Sequence, residues 1–260
     1  MTMNKKLTVV KVSGKIVENP DALKTFVKRF AALGGARVLI YSGANLAEAV
    51  GERMGINTKK VNDRPVVDDS TLKLLTMVYG GFVNRQLVAL LQGRKVTALG
   101  VTGADMNLVT STRRPAQPID MGWTGDVRAV NTQAFSQLIE SGVVPVLAPL
   151  THDGRGNLLF NETDAMASEV AKALALRYDV KLIYCFSQNG VLLNPQDPDS
   201  VAAVLKRTQY KALKEMEIIS DWFVNKVDNA FSAIDHGVKE AIITSAAYLG
   251  DDNYGTHIKP

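Results

Sequence analysis

The chain has 260 residues, 46% hydrophobic and 22% charged, which is enough for one large or two small domains with a sizeable core. Its formal net charge is +4, with the signs interspersed and no basic cluster longer than a pair such as Lys5-Lys6, Lys59-Lys60 or Arg113-Arg114, which argues against a nucleic-acid stripe. The single cysteine, Cys185, sits in an apolar run; it excludes an internal disulfide and reads as a small core residue.

The first six residues carry the charge of a signal peptide's opening region. The apolar stretch behind them is broken at Lys11 and Lys15, so export is not expected. No apolar run reaches the ~20 residues of a bilayer span. The expected location is cytoplasmic, with no membrane or nucleic-acid partner.

In chain order, strand-like runs fall at Leu7–Val12, Val38–Tyr41, Val96–Val101, Val143–Leu147, Leu182–Cys185 and Ala241–Thr244. Each is short, apolar and bounded by turn residues, as for strands buried on both faces. Between them lie helical patterns. Asp21–Leu33 repeats Leu23, Phe26, Val27, Phe30 and Leu33, and Gly34-Gly35 stops it. Asp69–Leu91 repeats Leu72, Leu75, Val78, Phe82, Leu87 and Leu91. Thr163–Leu176 and Asp221–Ile234 follow; Asp164 belongs to the first turn of the former, and Asp221 stands where a cap of the latter would be. Pro115–Asn131 and Leu150–Phe160 read as hairpins added to the sheet, and Leu193–Ser200 as a polar loop. The alternation predicts an α/β fold, an open, mainly parallel sheet with helices on both faces. In such folds ligands bind beyond the carboxyl ends of the strands, here Ser13-Gly14, Ser42-Gly43 and Thr102-Gly103.

Several chemistries find no support. There is no G-x-G-x-x-G and no G-x-x-x-x-G-K-[ST]. His152, His236 and His257 fit no metal spacing, and no G-x-S-x-G elbow supports a serine hydrolase. Two lysines stand out instead. Lys11 interrupts the first apolar run just before Ser13-Gly14, and Lys226 lies within the last amphipathic segment. Lysines that meet one anion from two sides suit phosphoryl transfer, where catalysis is mostly positioning and stabilisation of charge.

The order of short motifs resembles the amino acid kinase family, and within it the acetylglutamate kinases, over nearly the whole length. Lys11-Val12-Ser13-Gly14 stands for the family's K-[LV]-G-G, and Tyr41-Ser42-Gly43-Ala44 for H-G-G-G. Residues 98–105 match A-x-G-L-[ST]-G-x-D. Asp153-Gly154 opens the matching hairpin, Lys226 holds the place of the lysine in G-M-x-x-K, and Gly255-Thr256-His257-Ile258 matches the closing G-T-x-I. The resemblance implies a three-layer αβα sandwich of the amino acid kinase fold, a single domain over 1–260. Its first half, about 1–178, would bind an N-acylglutamate and its second, about 179–260, the nucleotide. It implies ATP and Mg²⁺ as cofactors. It implies Lys11 and Lys226 as charge-stabilising catalytic residues, with Asp164 orienting both. It gives Gly43, Ala44, Arg64 and Asn161 as substrate-binding residues, and Ser13, Gly14, Ser187 and Gly190 as nucleotide-binding residues, with no protein ligand for the metal. The reaction implied is phosphorylation of the γ-carboxylate of an N-acylglutamate in arginine biosynthesis. The long segment Asp69–Leu91 matches a dimer helix, through Leu75, Val78, Tyr79, Phe82 and Leu87, so a homodimer is expected.

The departures from the family cluster where it holds its ligands. Ser13 replaces a glycine, only Gly43 of the second glycine run remains, and the substrate arginine aligns with Pro65, one place after Arg64. Phe160-Asn161-Glu162-Thr163-Asp164 replaces N-x-N-A-D, and Trp222-Phe223 replaces G-M. Glu162 is expected to oppose an anionic substrate. These changes favour a reshaped acyl pocket, for acetyl or succinyl. They keep two alternatives open, a catalytically inactive binding or regulatory relative and a kinase of another small acid.

Overall fold

Strands and helices form in the order the sequence pattern sets. In the computed structural model, which describes residues 5–62, 64–194, 196–219 and 221–260, they are β1 (Lys6–Val12), α1 (Gly14–Val17), α2 (Pro20–Ala32), β2 (Ala36–Tyr41), α3 (Ala44–Arg53), β3 (Lys60–Val61), β4 (Arg64–Pro65), α4 (Asp69–Leu75), α5 (Asn84–Gln92), β5 (Ala98–Val101), β6 (Val109–Arg113), β7 (Thr124–Val130), α6 (Thr132–Glu140), β8 (Val144–Leu147), β9 (Leu150–His152), β10 (Leu158–Asn161), α7 (Thr163–Leu174), β11 (Asp179–Phe186), β12 (Val204–Lys206), α8 (Arg207–Glu215), α9 (Asp221–Asp235), β13 (Glu240–Ser245) and β14 (Thr256–Lys259). The side chains of Ala44, Asp221 and Trp222 lie outside the description, and with them the expected cap at Asp221. The chain forms two compact units, residues 1–39 with 167–260, and residues 40–166. The division falls within β2 and α7.

In the first unit β1 and β13 flank β11, both parallel to it, from Lys6↔Asp179 to Val12↔Cys185 and from Lys181↔Glu240 to Phe186↔Ser245. β14 then pairs antiparallel with β13 and parallel with β12. The mainly parallel sheet buries almost every residue of β1 and β11, which explains their near-continuous apolar runs. Helix α2 starts where Asn19 accepts from the N–H groups of Asp21 and Ala22, with Pro20 at its first position. It buries Leu23, Phe26, Val27 and Phe30 of the expected stripe; Leu33, the last member, is the C-cap and only half-buried. Helices α7 and α9 are tied by Ser168 Oγ, which donates to the Asn229 carbonyl at 2.9 Å.

In the second unit β5 and β8 pair in parallel. The two hairpin segments do not extend that pairing. Strands β6, β7, β9 and β10 close on themselves as a small barrel in the order β10-β7-β6-β9. A barrel removes the exposed strand edges that a pair of appended hairpins would leave. The loop before α4 is stitched to it: Trp123 N–H donates to Val67 O at 2.6 Å, and Trp123 Nε1 to Asp69 Oδ1 at 2.5 Å.

The periodic stretch Asp69–Leu91 forms one continuous helical run, but not one register. Between α4 and α5, residues Thr76–Val83 are π-helical. The extra residue shifts the apolar stripe: Val83 and Leu87 are buried, whereas Phe82, expected in the stripe, is 59% exposed. Leu75, Val78, Tyr79 and Leu87 are buried within their own unit, so they do not form an outward face. Contrary to the sequence expectation, this run is long and apolar enough by length and composition to cross a membrane. Its buried Asn84 and its packing within the unit mark it as a core helix.

Candidate active site

The first unit gathers the predicted cations and the glycines at the carboxyl ends of its strands. Lys11 is only 4% exposed and pairs in register with Tyr184. Neighbours in register share a face, and so do residues two apart on one strand, so Lys11 lies on the face that carries Phe186. Phe186 meets Phe223 of α9 edge-on, ring centroids 4.9 Å apart. Lys226 follows Phe223 by three residues, so it shares the face of α9 that packs on the strand ends. It is 8% exposed. Two ammonium groups are thus buried on one side of the sheet, where a charge is costly unless it meets counter-charge. Phe223, which with Trp222 replaces the family's G-M, packs on Phe186; the Trp222 side chain lies outside the described residues.

Polar groups surround that end of the sheet. Ser13 continues β1 with its N–H on the Cys185 carbonyl at 2.9 Å, and Gly14 opens α1. The hydroxyls of Ser13, Thr244 and Ser245 are buried and have no hydrogen-bond partner among the described residues. Unpartnered buried hydroxyls beside buried lysines are a donor set that phosphate oxygens satisfy. Ser187 follows β11, and Gly190 lies in the turn beyond it. A side chain at Gly190 would stand 2.6 Å from Thr256 Oγ1, which accepts the Val191 N–H. Gly255 has φ +98°, a backbone that side chains rarely adopt, and its close approach to Ile243 and Thr244 leaves no room for a Cβ. Burial pushes the Cys185 thiol up, with the Lys11 charge pulling the other way, which keeps it a core thiol.

The second unit holds the remaining candidates. Gly43 is the N-cap of α3, whose first residue is Ala44. Its N–H donates to the Tyr79 hydroxyl at 3.2 Å, and the Tyr41 hydroxyl donates to the Tyr79 carbonyl at 2.6 Å. Tyr79 packs between Tyr41 and Phe160, ring centroids 6.4 and 5.8 Å away. Burial pushes the Tyr41 hydroxyl pKa well up, so it stays a neutral donor. Asp164 occupies the first turn of α7, where a carboxylate suits the helix dipole.

Two expectations change here. Asn161 was expected at the ligand, but its amide closes the barrel. Its Nδ2 donates to Ser111 Oγ and the Gly125 carbonyl, and its Oδ1 accepts from Thr151 Oγ1 at 2.6 Å. Glu162 was expected to add an opposing negative charge. Its Oε1 instead receives Arg114 Nη1 at 3.0 Å and Arg64 Nη1 at 3.3 Å, while Arg114 Nη2 reaches Asp126. Asp126 first and Glu162 second hold Arg114 protonated, above the usual guanidinium range. Arg64, half-exposed, is thus paired with Glu162.

Sequence reasoning missed Tyr79, Arg114, Thr244 and Ser245. Arg114 was visible only as half of a basic pair. The hydroxyls at the end of β13 carried a signal that was passed over, since that strand's carboxyl end meets the same rule as Ser13.

The sequence profile of the amino acid kinase family matches residues 6–245. A protein of Bacteroides thetaiotaomicron named acetylglutamate kinase is 46% identical over 257 residues, 99% of this chain and 100% of that one. One of the same name from Phocaeicola vulgatus is 45% identical with the same coverage. Among solved structures, N-acetylglutamate synthase from Neisseria gonorrhoeae, complexed with coenzyme A and N-acetyl-glutamate, superposes with a TM-score of 0.81 over 99% of this chain and 60% of that one. At 21% identity this likeness speaks for the fold alone. With a profile that spans most of its length and full-length relatives at this identity, the chain belongs to the amino acid kinase family.

Proposed function

We propose that the protein is an ATP-dependent kinase that phosphorylates the γ-carboxylate of an N-acylglutamate, acetyl or succinyl, in cytoplasmic arginine biosynthesis. The observation that carries this reading is the full-length likeness to proteins named acetylglutamate kinase. The burial of Lys11 and Lys226 supports it. A carboxylate oxygen forms the new bond to the γ-phosphorus as the bond to the nucleotide's bridging oxygen breaks, leaving an acyl phosphate and ADP. Charge spreads over the transferred group, and two pre-set ammonium groups stabilise it without reorganising. Asp164 keeps the orienting role that the family resemblance gives it.

Ser13, Gly14, Ser187 and Gly190, with the hydroxyls of Thr244 and Ser245, hold the nucleotide. Mg²⁺ brought in with the nucleotide would supply further neutralisation of charge. The turn at Gly43-Ala44 receives the acid, with Arg64, paired to Glu162, on the same compact unit. The subunit is a homodimer through the outer side of the long helical run. Met77 and Phe82 are 48% and 59% exposed there, and Arg85 ties the helix beside β5, which exposes Leu99.

The test incubates purified protein with Mg-ATP and N-acetyl- or N-succinylglutamate and traps the acyl phosphate with hydroxylamine. Hydroxamate should form, and Lys11→Ala should lower kcat by about 10²–10⁴-fold. No product from either acid would overturn this reading. Nucleotide binding would then point to another small acid, and its absence to a non-catalytic relative.

A further inference from the structure

Ser13 is a serine at a helix N-cap that does not cap its helix. Serine is favoured there because its hydroxyl accepts a backbone N–H of the first turn. The Ser13 hydroxyl makes no such bond with α1, and its Oγ is buried with no hydrogen-bond partner among the described residues. The backbone of the residue is committed. Its N–H donates to the Cys185 carbonyl at 2.9 Å, and its carbonyl accepts from the N–H groups of Ile16 and Val17. The family motif carries a glycine here, which has only its backbone to offer a ligand. In this chain the sheet takes up that N–H, and the hydroxyl is the donor that remains.

The direction of the hydroxyl follows from the strand. The Ser13 backbone is extended, φ −77° and ψ 155°, so the alternation of β1 carries through it and Ser13 shares the face of Lys11. Its bond to Cys185 continues the register of β1 with β11 and sets it opposite Phe186. Phe186 is in turn in register with Ser245 of β13. Ser245 is 7% exposed, and its hydroxyl too is buried without a partner among the described residues. A row Ser13, Phe186, Ser245 thus crosses the ends of three strands, on the face where Phe223 of α9 packs. A buried hydroxyl without a partner has given up water for nothing. Two of them in one row, beside buried lysines, point to an anion that brings several oxygens. The row also separates the two. Neighbouring strands lie about 4.8 Å apart, so Ser13 and Ser245 stand about 9.6 Å apart, and Phe186 lies between them. One phosphoryl group does not span that distance. Ser13 lies on the strand of Lys11, about 6.6 Å further along, within reach of a group that the long lysine side chain also reaches.

We propose that Ser13 is a further catalytic residue: its hydroxyl donates to an oxygen of the transferred phosphoryl group beside Lys11, while Ser245 stays with the part of the nucleotide that leaves as ADP. The inference rests on the kinase reading and refines it, since Ser13 then acts on the group in transfer. The hydroxyl keeps its proton throughout; the bonds made and broken are those of phosphoryl transfer from ATP to the carboxylate. A hydrogen bond that strengthens as charge spreads over the transferred group raises kcat and leaves KM for the nucleotide nearly unchanged.

The test compares Ser13→Ala and Ser13→Thr with the wild type in the full-length protein. Steady-state kinetics would use Mg-ATP and the N-acylglutamate that the wild type turns over, and thermal unfolding would be followed without ligands. Ser13→Ala should lower kcat about 10–100-fold with KM for Mg-ATP within about twofold. Its melting temperature should equal or exceed that of the wild type, because the hydroxyl it removes has no partner to lose. Ser13→Thr restores the hydroxyl at an extended position and should recover kcat to within about threefold of the wild type. A hydroxyl that served only the fold would give the opposite pattern, a lowered melting temperature. That pattern, an unchanged kcat in Ser13→Ala, or a rise in KM for Mg-ATP as large as the fall in kcat would overturn the inference and leave the kinase reading intact. Absence of turnover in the wild type would overturn both.

Discussion

Asn161 shows how a residue legible as important can carry a structural task that the sequence does not announce. Its place in the sequence, between two positions where the family carries asparagines, pointed to a ligand. In the fold its amide joins Ser111, Thr151 and Gly125 inside the barrel. Removing it leaves several buried groups without partners, and each such group costs about 1–3 kcal/mol. Asn161→Ala is expected to lower unfolding stability by about 2–4 kcal/mol in a urea titration. A loss below about 1 kcal/mol would mean that the barrel rearranges around the gap. Lys11 was legible because a charge inside an otherwise apolar strand is an anomaly on its face. Arg114 was not, since its value comes from Glu162 and Asp126, which are distant in sequence and give no local signal.

Among the elements, periodicity located the main strands and the long helices, because burial on both faces or along one stripe leaves its mark directly in the order of residues. It failed where register is set by tertiary contact. The π-helical insertion between α4 and α5 leaves no local signature, so Phe82 was assigned to the buried stripe that Val83 in fact occupies. Barrel closure was equally hidden, since a parallel pairing of β10 with β7 joins segments that each read as a plain hairpin. The tip of the β9–β10 hairpin carries its own pH signature. Asp153 accepts from the Asn157 amide and from the N–H groups of Arg155 and Asn157, which draws its pKa down from 3.8 to about 2. The folded value is the lower one, so the contribution is complete above about pH 4 and is lost as pH falls towards about 2. Asp153→Ala should make the fall in melting temperature over that range shallower. An NMR titration of Asp153 with a midpoint near 3.8 would contradict the account.

For the whole molecule, the sequence conveyed fold class and family but not how the chain is divided. A boundary near residue 178 follows from reading the chain as two consecutive halves. The compact units instead join the first 39 residues to the last 94, so Lys11 and Lys226 share one unit. No local composition marks such a division, because it depends on which distant strands pair. Assembly beyond the single chain is the remaining whole-molecule expectation. Light scattering should give the mass of a dimer, and Phe82→Asp should shift it to the monomer. A monomeric mass for the wild type would refute the interface.

The pairing of β1 with β11 also orders events in time. Residues 40–166 form an uninterrupted stretch and can complete their own unit as soon as they have been made. The first strand cannot. Lys6 waits for Asp179, and Val12 for Cys185, so β1 leaves the ribosome long before one of its two neighbours exists; the other, β2, follows it closely. Until then one edge of an apolar strand stays unpaired. The same connectivity that buries Lys11 in the finished protein leaves one edge of β1 open during synthesis, where it needs protection from aggregation.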